Sequence, residues 1–281
     1  MTITQLDKAR TFRALHERAG AFIIPNPWDA GTARILAALG FEALATTSLG
    51  LASSLGRSDG AGAVSRREVL DNCAAIAAAT DLPVSADLEN CYAHEPHAAA
   101  EMIRLAAEAG VVGGSIEDAT GKEDKPIYDF QLAVERVHAA AEVARSLPFP
   151  FMLTARAENY LHGRRDLDNT IRRLQAFERA GADVLYAPGL RDLATIRAVA
   201  SSVTKPVNVV VGMLEPGITA DQLAQAGVKR ISIGGALSRL ALAHFLKGAR
   251  ETKERGTFTW MAETIPTREL QKYFGDGAPT N

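Results

Sequence analysis

Carboxylates recur at short intervals in three parts of this chain. Asp87 and Glu89 close the run Ser85-Ala86-Asp87-Leu88-Glu89, Glu117 and Asp118 close a second run, and Asp59 stands in Leu55-Gly56-Arg57-Ser58-Asp59-Gly60. If the first run is a β-strand, its period of two turns Asp87 and Glu89 to the same side. Unpaired carboxylates that converge repel one another and hold protons more tightly unless a cation compensates them. Oxygen-only donors with no His or Cys cluster nearby point to a hard ion, Mg²⁺ or alternatively Mn²⁺, rather than Zn²⁺. Asp59, Asp87, Glu89 and Glu117 are therefore the candidate metal ligands. Each could instead cap a helix or pair with a Lys or Arg, but four together on adjacent strand ends favour a site.

Other residues have weaker claims. Arg156 ends a strand, where its guanidinium could pair with a substrate carboxylate or phosphonate, or else bridge to Glu158 or Glu117. Asn208 is either an inward polar anchor or a partner for neighbouring backbone. His94 and His97 flank Glu95-Pro96 at a helix start with no complementary ligands following, so they read as structural or surface residues. Arg239 follows Gly234-Gly235 near the last helix start, a region that binds phosphate in many barrels, although packing explains it equally well.

The elements that must carry these residues follow a regular rhythm. Short apolar or β-branched runs alternate with longer helical patterns, which is the mark of repeated βα units around a parallel sheet. The candidate strands are Ala21 to Pro25, Ala43 to Thr47, Pro83 to Asp87, Gly113 to Glu117, Phe151 to Ala157, Asp183 to Ala187, Pro206 to Val211 and Arg230 to Gly234. A Leu-Gly or Ala-Gly step precedes several of them, at Gly40, Gly110, Gly181 and Gly227, where a left-handed glycine would close a helix. No composition break or linker divides the chain, so one (β/α)₈ barrel spanning residues 1–281 is expected. An open doubly wound sheet is the alternative, but the turn after the first strand, Asn26-Pro27-Trp28-Asp29, lacks a dinucleotide fingerprint. The amphipathic stretch from Thr4 to Ala19 should cover one end of the barrel. The tail from residue 256 carries Trp260 and Met261, which need a surface to cover, potentially on another subunit.

Composition narrows the function classes. The 281 residues are 47% hydrophobic and 23% charged, with a formal net charge of -2, so a partner held by bulk charge is not expected. There is no basic stripe with interleaved aromatics to bind nucleic acid, and no apolar run to span a bilayer. The N-terminus lacks the apolar core of a secretion signal. Cys73 and Cys91 are too few for a disulfide framework, and a reducing cytoplasm is the expected compartment.

In combination the motifs resemble the isocitrate lyase and phosphoenolpyruvate mutase superfamily. They are Thr46-Thr47-Ser48-Leu49-Gly50, Leu55-Gly56-Arg57-Ser58-Asp59, Ala86-Asp87-Leu88-Glu89, Ser115-Ile116-Glu117-Asp118, Thr154-Ala155-Arg156 and Ser232-Ile233-Gly234, and the resemblance covers roughly Ala21 to Arg255. It implies that Asp87 binds Mg²⁺ most directly while Asp59, Glu89 and Glu117 hold its waters. Glu89 stands where many members have Asp. The resemblance further implies that Thr47, Ser48 and Leu49 grip the substrate carboxylate. Arg156 and Glu117 are the catalytic candidates, and Asn208 is a candidate substrate-binding residue. It also implies a homotetramer whose subunits exchange their last helices.

The segment Asp118-Ala119-Thr120-Gly121-Lys122-Glu123-Asp124-Lys125-Pro126 resembles the superfamily's gating loop, with Asp118, Gly121, Lys122 and Lys125 as its candidate residues. It has no counterpart of the Cys that serves isocitrate and methylisocitrate lyases as acid or base. Cys91 lies on another loop and reads as a packed residue. The Asn-Ser pair of the mutases is missing too, and the sixth strand ends in Tyr186-Ala187-Pro188-Gly189 without their His. The chemistries that remain expected are C–C cleavage or decarboxylation of a small 2-oxo or 2-hydroxy dicarboxylate through a metal-stabilised enolate. Alternatives are phosphonopyruvate hydrolysis and a non-catalytic relative that binds oxo acids.

Overall fold

A computed structural model describes residues 3–60 and 62–274. The eight strands are β1 (Phe22–Ile24), β2 (Leu44–Ala45), β3 (Val84–Ala86), β4 (Gly113–Glu117), β5 (Met152–Arg156), β6 (Val184–Tyr186), β7 (Val207–Val210) and β8 (Arg230–Ser232). All paired strands are parallel, in the order β1-β8-β7-β6-β5-β4-β3-β2. The Ala45 N–H donates to Pro25 O at 3.0 Å and joins the two ends of the sheet. The expected (β/α)₈ barrel is thus the fold, and every candidate strand contains the observed one.

The helices are α1 (Gln5–Glu17), α2 (Ala30–Ala38), α3 (Ser48–Ser54), α4 (Arg66–Ala78), α5 (Pro96–Glu108), α6 (Phe130–Ser146), α7 (Leu167–Ala180), α8 (Leu193–Ser201), α9 (Ala220–Gln225), α10 (Ala236–Arg255) and α11 (Thr267–Gln271). Gly40, Gly110, Gly181 and Gly227 all have φ between 83° and 110°, so the glycine steps do close helices before strands. Thr4 caps α1 through a reciprocal capping box with Asp7.

The buried face of α1 supplies Ala9, Phe12 and Leu15, which pack with Phe22, Ile24, Val112, Met152 and Val184. It plugs the barrel end opposite the C-terminal strand ends. Gly113 makes this close approach feasible, because a Cβ there would stand 2.9 Å from the Phe12 ring and from Met152 O. Above the plug the interior changes character. Barrels of this type usually fill their interior with branched aliphatic layers, yet here Ser85, Ser115, Thr154, Asn208, Arg230 and Ser232 are buried. Polar side chains inside a barrel need partners, and their presence leaves a hydrophilic cavity beneath the strand ends.

At the other end of the chain α10 is largely exposed, burying only Ser238 and Gly248. Trp260 packs within its own chain. It folds back so that its ring lies over Gly248, and its Nε1 donates to Thr252 Oγ1 at 3.0 Å. Met261 remains 60% exposed. Residues 275–281 of the expected tail lie outside the described part of the chain. Among the described residues no helix is long and apolar enough to cross a membrane.

Candidate active site

A cavity of about 330 Å³ opens at the C-terminal strand ends, lined among others by Thr47, Ser48, Leu49, Asp59, Asp87, Arg156 and Asn208. Its centre is Arg156, the last residue of β5. Nη1 bonds Asp87 Oδ1 at 2.9 Å, Nη2 approaches Glu117 Oε2 at 3.3 Å, and Nε bonds Glu158 Oε1 at 2.8 Å. Burial works against its charge, but Glu158, Glu117 and Asp87 together hold Arg156 well above the usual arginine range. The second Asp87 oxygen accepts the Ser48 N–H at 3.1 Å. The salt-bridge reading of Arg156 is observed, and the side chain also lines the cavity.

One guanidinium does not balance the surrounding acids. Asp59 is pushed up by burial and then by Asp87, and Glu89 by burial and then by the charges of Asp87 and Asp59. Glu117 is pushed well above the carboxylate range by burial, and Glu158, Asp87 and Glu89 add to the effect. Negative charge is in surplus here, which suits a cation. The side chains do not form a closed cage, however. Among the described residues no three His, Cys, Asp or Glu side chains converge as a chelating group. All-oxygen donors around one exposed-facing Asp fit a hard ion held largely through water better than a fully protein-ligated one.

Glu89 reaches this cluster by a route the strand period did not anticipate. β3 ends at Ala86, and Glu89 has φ of 48°, followed by Cys91 at 60° and Tyr92 at 56°. The alternation of a strand does not apply to such a left-handed turn. Arg136 on α6 holds the turn by donating to the carbonyls of Asn90, Ala93 and His94 at 2.5 to 2.7 Å. Glu89 in turn accepts the Tyr92 hydroxyl at 2.6 Å.

The loop after β4 is anchored at its base. Asp118 is 2% exposed, pairs with Arg173 at 3.0 Å and accepts the Glu158 N–H at 2.8 Å. Burial pushes its carboxyl up, while the Arg173 guanidinium and the Glu158 N–H favour the charged form. Ala119 and Ile127 form an antiparallel bridge, and the Thr120 N–H donates to Pro126 O at 2.8 Å. Gly121 turns the tip with φ of 76°, while Lys122 and Lys125 are exposed and Lys125 pairs with Asp129. None of the four expected gating residues lines the cavity. Asp118 belongs to the fixed framework under the loop, because its charge is matched by a buried arginine.

Among the remaining residues, Thr47 caps α3 by accepting the Gly50 N–H. Both ends of the Asn208 amide are occupied: Oδ1 accepts from Arg230 Nε at 2.8 Å, and Nδ2 donates to Ser232 Oγ at 3.1 Å. Arg239 lines the outer cavity. His94 bonds the Tyr128 hydroxyl at 2.5 Å, and Cys91 is fully buried with its thiol pushed up to about 12 by burial, unlike a reactive cysteine. The sequence points to Glu158 only as a partner of Arg156, and sequence reasoning did not place Asn26, Tyr186 and Arg230 in the cavity wall. Asn26 ties three strands together by accepting from the Ile233 and Gly234 N–H groups and donating to Thr46 O. The alternation Arg230-Ile231-Ser232 could have placed Arg230 inside.

A parallel eight-stranded barrel with an acidic, arginine-centred cavity at its strand ends has the form of a barrel enzyme. The sequence profile described as phosphoenolpyruvate phosphomutase matches residues 12–253, and the chain belongs to that family, within the isocitrate lyase and phosphoenolpyruvate mutase superfamily. A solved structure from Burkholderia cenocepacia J2315, whose own description goes no further than lyase or mutase, is 58% identical, covers 96% of each chain and superposes with a TM-score of 0.93. An uncharacterized protein of Mycobacterium tuberculosis H37Rv is 30% identical over 265 residues, 93% of this chain and 95% of the relative. An oxaloacetate decarboxylase of Pseudomonas aeruginosa is 27% identical over 270 residues, 94% of this chain and 90% of the relative.

Proposed function

We propose that this chain is a Mg²⁺-dependent lyase or decarboxylase that breaks a C–C bond in a small 2-oxo or 2-hydroxy dicarboxylate of the oxaloacetate or alkylmalate type. The observation that carries the reading is the surplus of carboxylates around Arg156 at the cavity. Asp87 would hold the ion directly, with Asp59, Glu89 and Glu117 holding its water shell; Mn²⁺ would serve the same donors. The ion would supply positive charge at the 2-oxygen, where negative charge develops as the neighbouring bond breaks.

The chain's own residues bind and orient. Ser48 presents its N–H at the cavity, now bonded to Asp87, and with Thr47 and Leu49 it forms the grip for the substrate carboxylate. Arg156 faces the cavity beside Asp87 and would bond the substrate carboxylate, while Asp87 would be the residue that holds the ion. Glu117, held protonated more readily by burial and its neighbours, can keep a proton near the reacting atoms. The absence of a loop cysteine supports this reaction over methylisocitrate cleavage. A panel of oxaloacetate, alkylmalates and phosphonopyruvate tests it: release of a 2-oxo acid supports the reading, and release of phosphate identifies a P–C bond enzyme instead.

The exposed apolar side chains of α10 and the segment after it, among them Leu240, Phe245, Leu246 and Phe258, support assembly with further copies of this chain. We propose a homotetramer in which neighbouring subunits cover each other's α10. A monomeric mass by light scattering would contradict it.

A further inference from the structure

Arg230, the first residue of β8, is 5% exposed and forms part of the wall of the cavity that holds Asp87 and Arg156. Its Nε donates to Asn208 Oδ1 at 2.8 Å and its Nη2 to Thr154 Oγ1 at 2.9 Å, while Nη1 is buried with no partner. Among the described residues no carboxylate lies within 4.0 Å of it. From below, α1 presents His16, which burial and then Arg230 hold neutral, down to about 3. From the side it faces Tyr186, whose phenol burial keeps protonated. Burial lowers Arg230 itself to about 10.

A buried guanidinium with only neutral partners is costly unless something anionic joins it. Its place in the barrel shows what could. Thr154 and Arg156 lie on the same face of β5, so Arg230 is bonded one strand repeat, about 6.7 Å, below the level of Arg156. A short diacid can reach both levels. We propose that Arg230 is a second anion-binding group of this cavity, taking the carboxylate of a dicarboxylate that lies remote from its 2-oxo or 2-hydroxy end. Asn208 and Thr154 are then positioning residues that hold the guanidinium. The substrate class is a diacid rather than a monoacid, an inference that rests on the proposed reading of the cavity mouth.

Calorimetric titration in Mg²⁺ with two probes tests this. Oxalate carries only the carboxylate and adjacent oxygens of the head group, and 3,3-difluorooxaloacetate adds the remote carboxylate. R230Q binds oxalate within about threefold of the natural protein and difluorooxaloacetate about tenfold or more weaker, whereas R230K stays within a few-fold for both. N208D gives Arg230 an internal counter-ion. It shows the same selective loss of difluorooxaloacetate with an unchanged or higher melting temperature, so the test survives if R230Q folds poorly. Equal losses for both probes, no loss for either, or a natural protein that binds no difluorooxaloacetate would overturn the proposal. Selective loss in a protein that turns over no diacid refutes the proposed reaction and leaves this inference standing.

Discussion

Arg156 bonds Asp87 at 2.9 Å, so the side chain expected to hold substrate is already engaged with the one expected to hold the metal. On the proposed reading the pair would act as a latch, with Arg156 free to bond substrate once Asp87 held a divalent ion. Among the described residues Arg156 is the one cation paired with Asp87, Glu117 and Glu158.

Removing the latch exposes that dependence. Arg156→Met leaves three carboxylates facing one another with little solvent, and it should destabilise the metal-free protein by about 3–5 kcal/mol. Urea unfolding with and without Mg²⁺ checks this, and the loss should shrink when Mg²⁺ is present.

Mg²⁺ should stabilise the natural protein in proportion to its occupancy. At a hundredfold excess over Kd the gain is about 2.7 kcal/mol, which for a chain of this size raises Tm by roughly 5 °C. Asp87→Asn should abolish the shift in a thermal melt, while Glu89→Gln, acting through water, should only reduce it.

The base of the loop after β4 should behave as structure. Asp118→Asn removes the charge that matches buried Arg173 and should cost about 3 kcal/mol of stability. Lys122→Ala and Lys125→Ala, at exposed positions, should stay within about 0.5 kcal/mol. Chemical denaturation of the three variants separates these outcomes.

The plug should give the protein a pH dependence below neutrality. His16 packs edge-on against Phe12 and Phe22, and burial lowers it from 6.5 to about 3. The unfolded chain therefore binds this proton and the folded chain does not, so stability is full above pH 6.5 and falls as pH drops toward 3. At pH 5 the loss is about 2 kcal/mol. His16→Phe should flatten that part of the stability profile measured by denaturation between pH 5 and 7.

The barrel was legible in the chain because each strand is a short apolar run and the glycines at 40, 110, 181 and 227 mark where helices must stop. The convergence of Asp87, Glu117 and Arg156 was legible for the same reason, since strand ends of one barrel meet at one mouth. What the sequence hid depends on backbone that departs from strand or helix. Glu89 enters the site on a left-handed turn held by distant Arg136, and Asp118 is withdrawn by Arg173, 55 positions along the chain. Trp260 packs against its own α10, a contact that no local pattern announces.

The central claim is that the carboxylates around Arg156 work through a divalent ion to break a C–C bond. Pyruvate release from oxaloacetate, measured above the uncatalysed rate with Mg²⁺, with EDTA and in the Asp87→Asn variant, tests it most directly. Mg²⁺ should give release that EDTA and the variant both abolish. Release that persists undiminished with EDTA, or in Asp87→Asn, would contradict it.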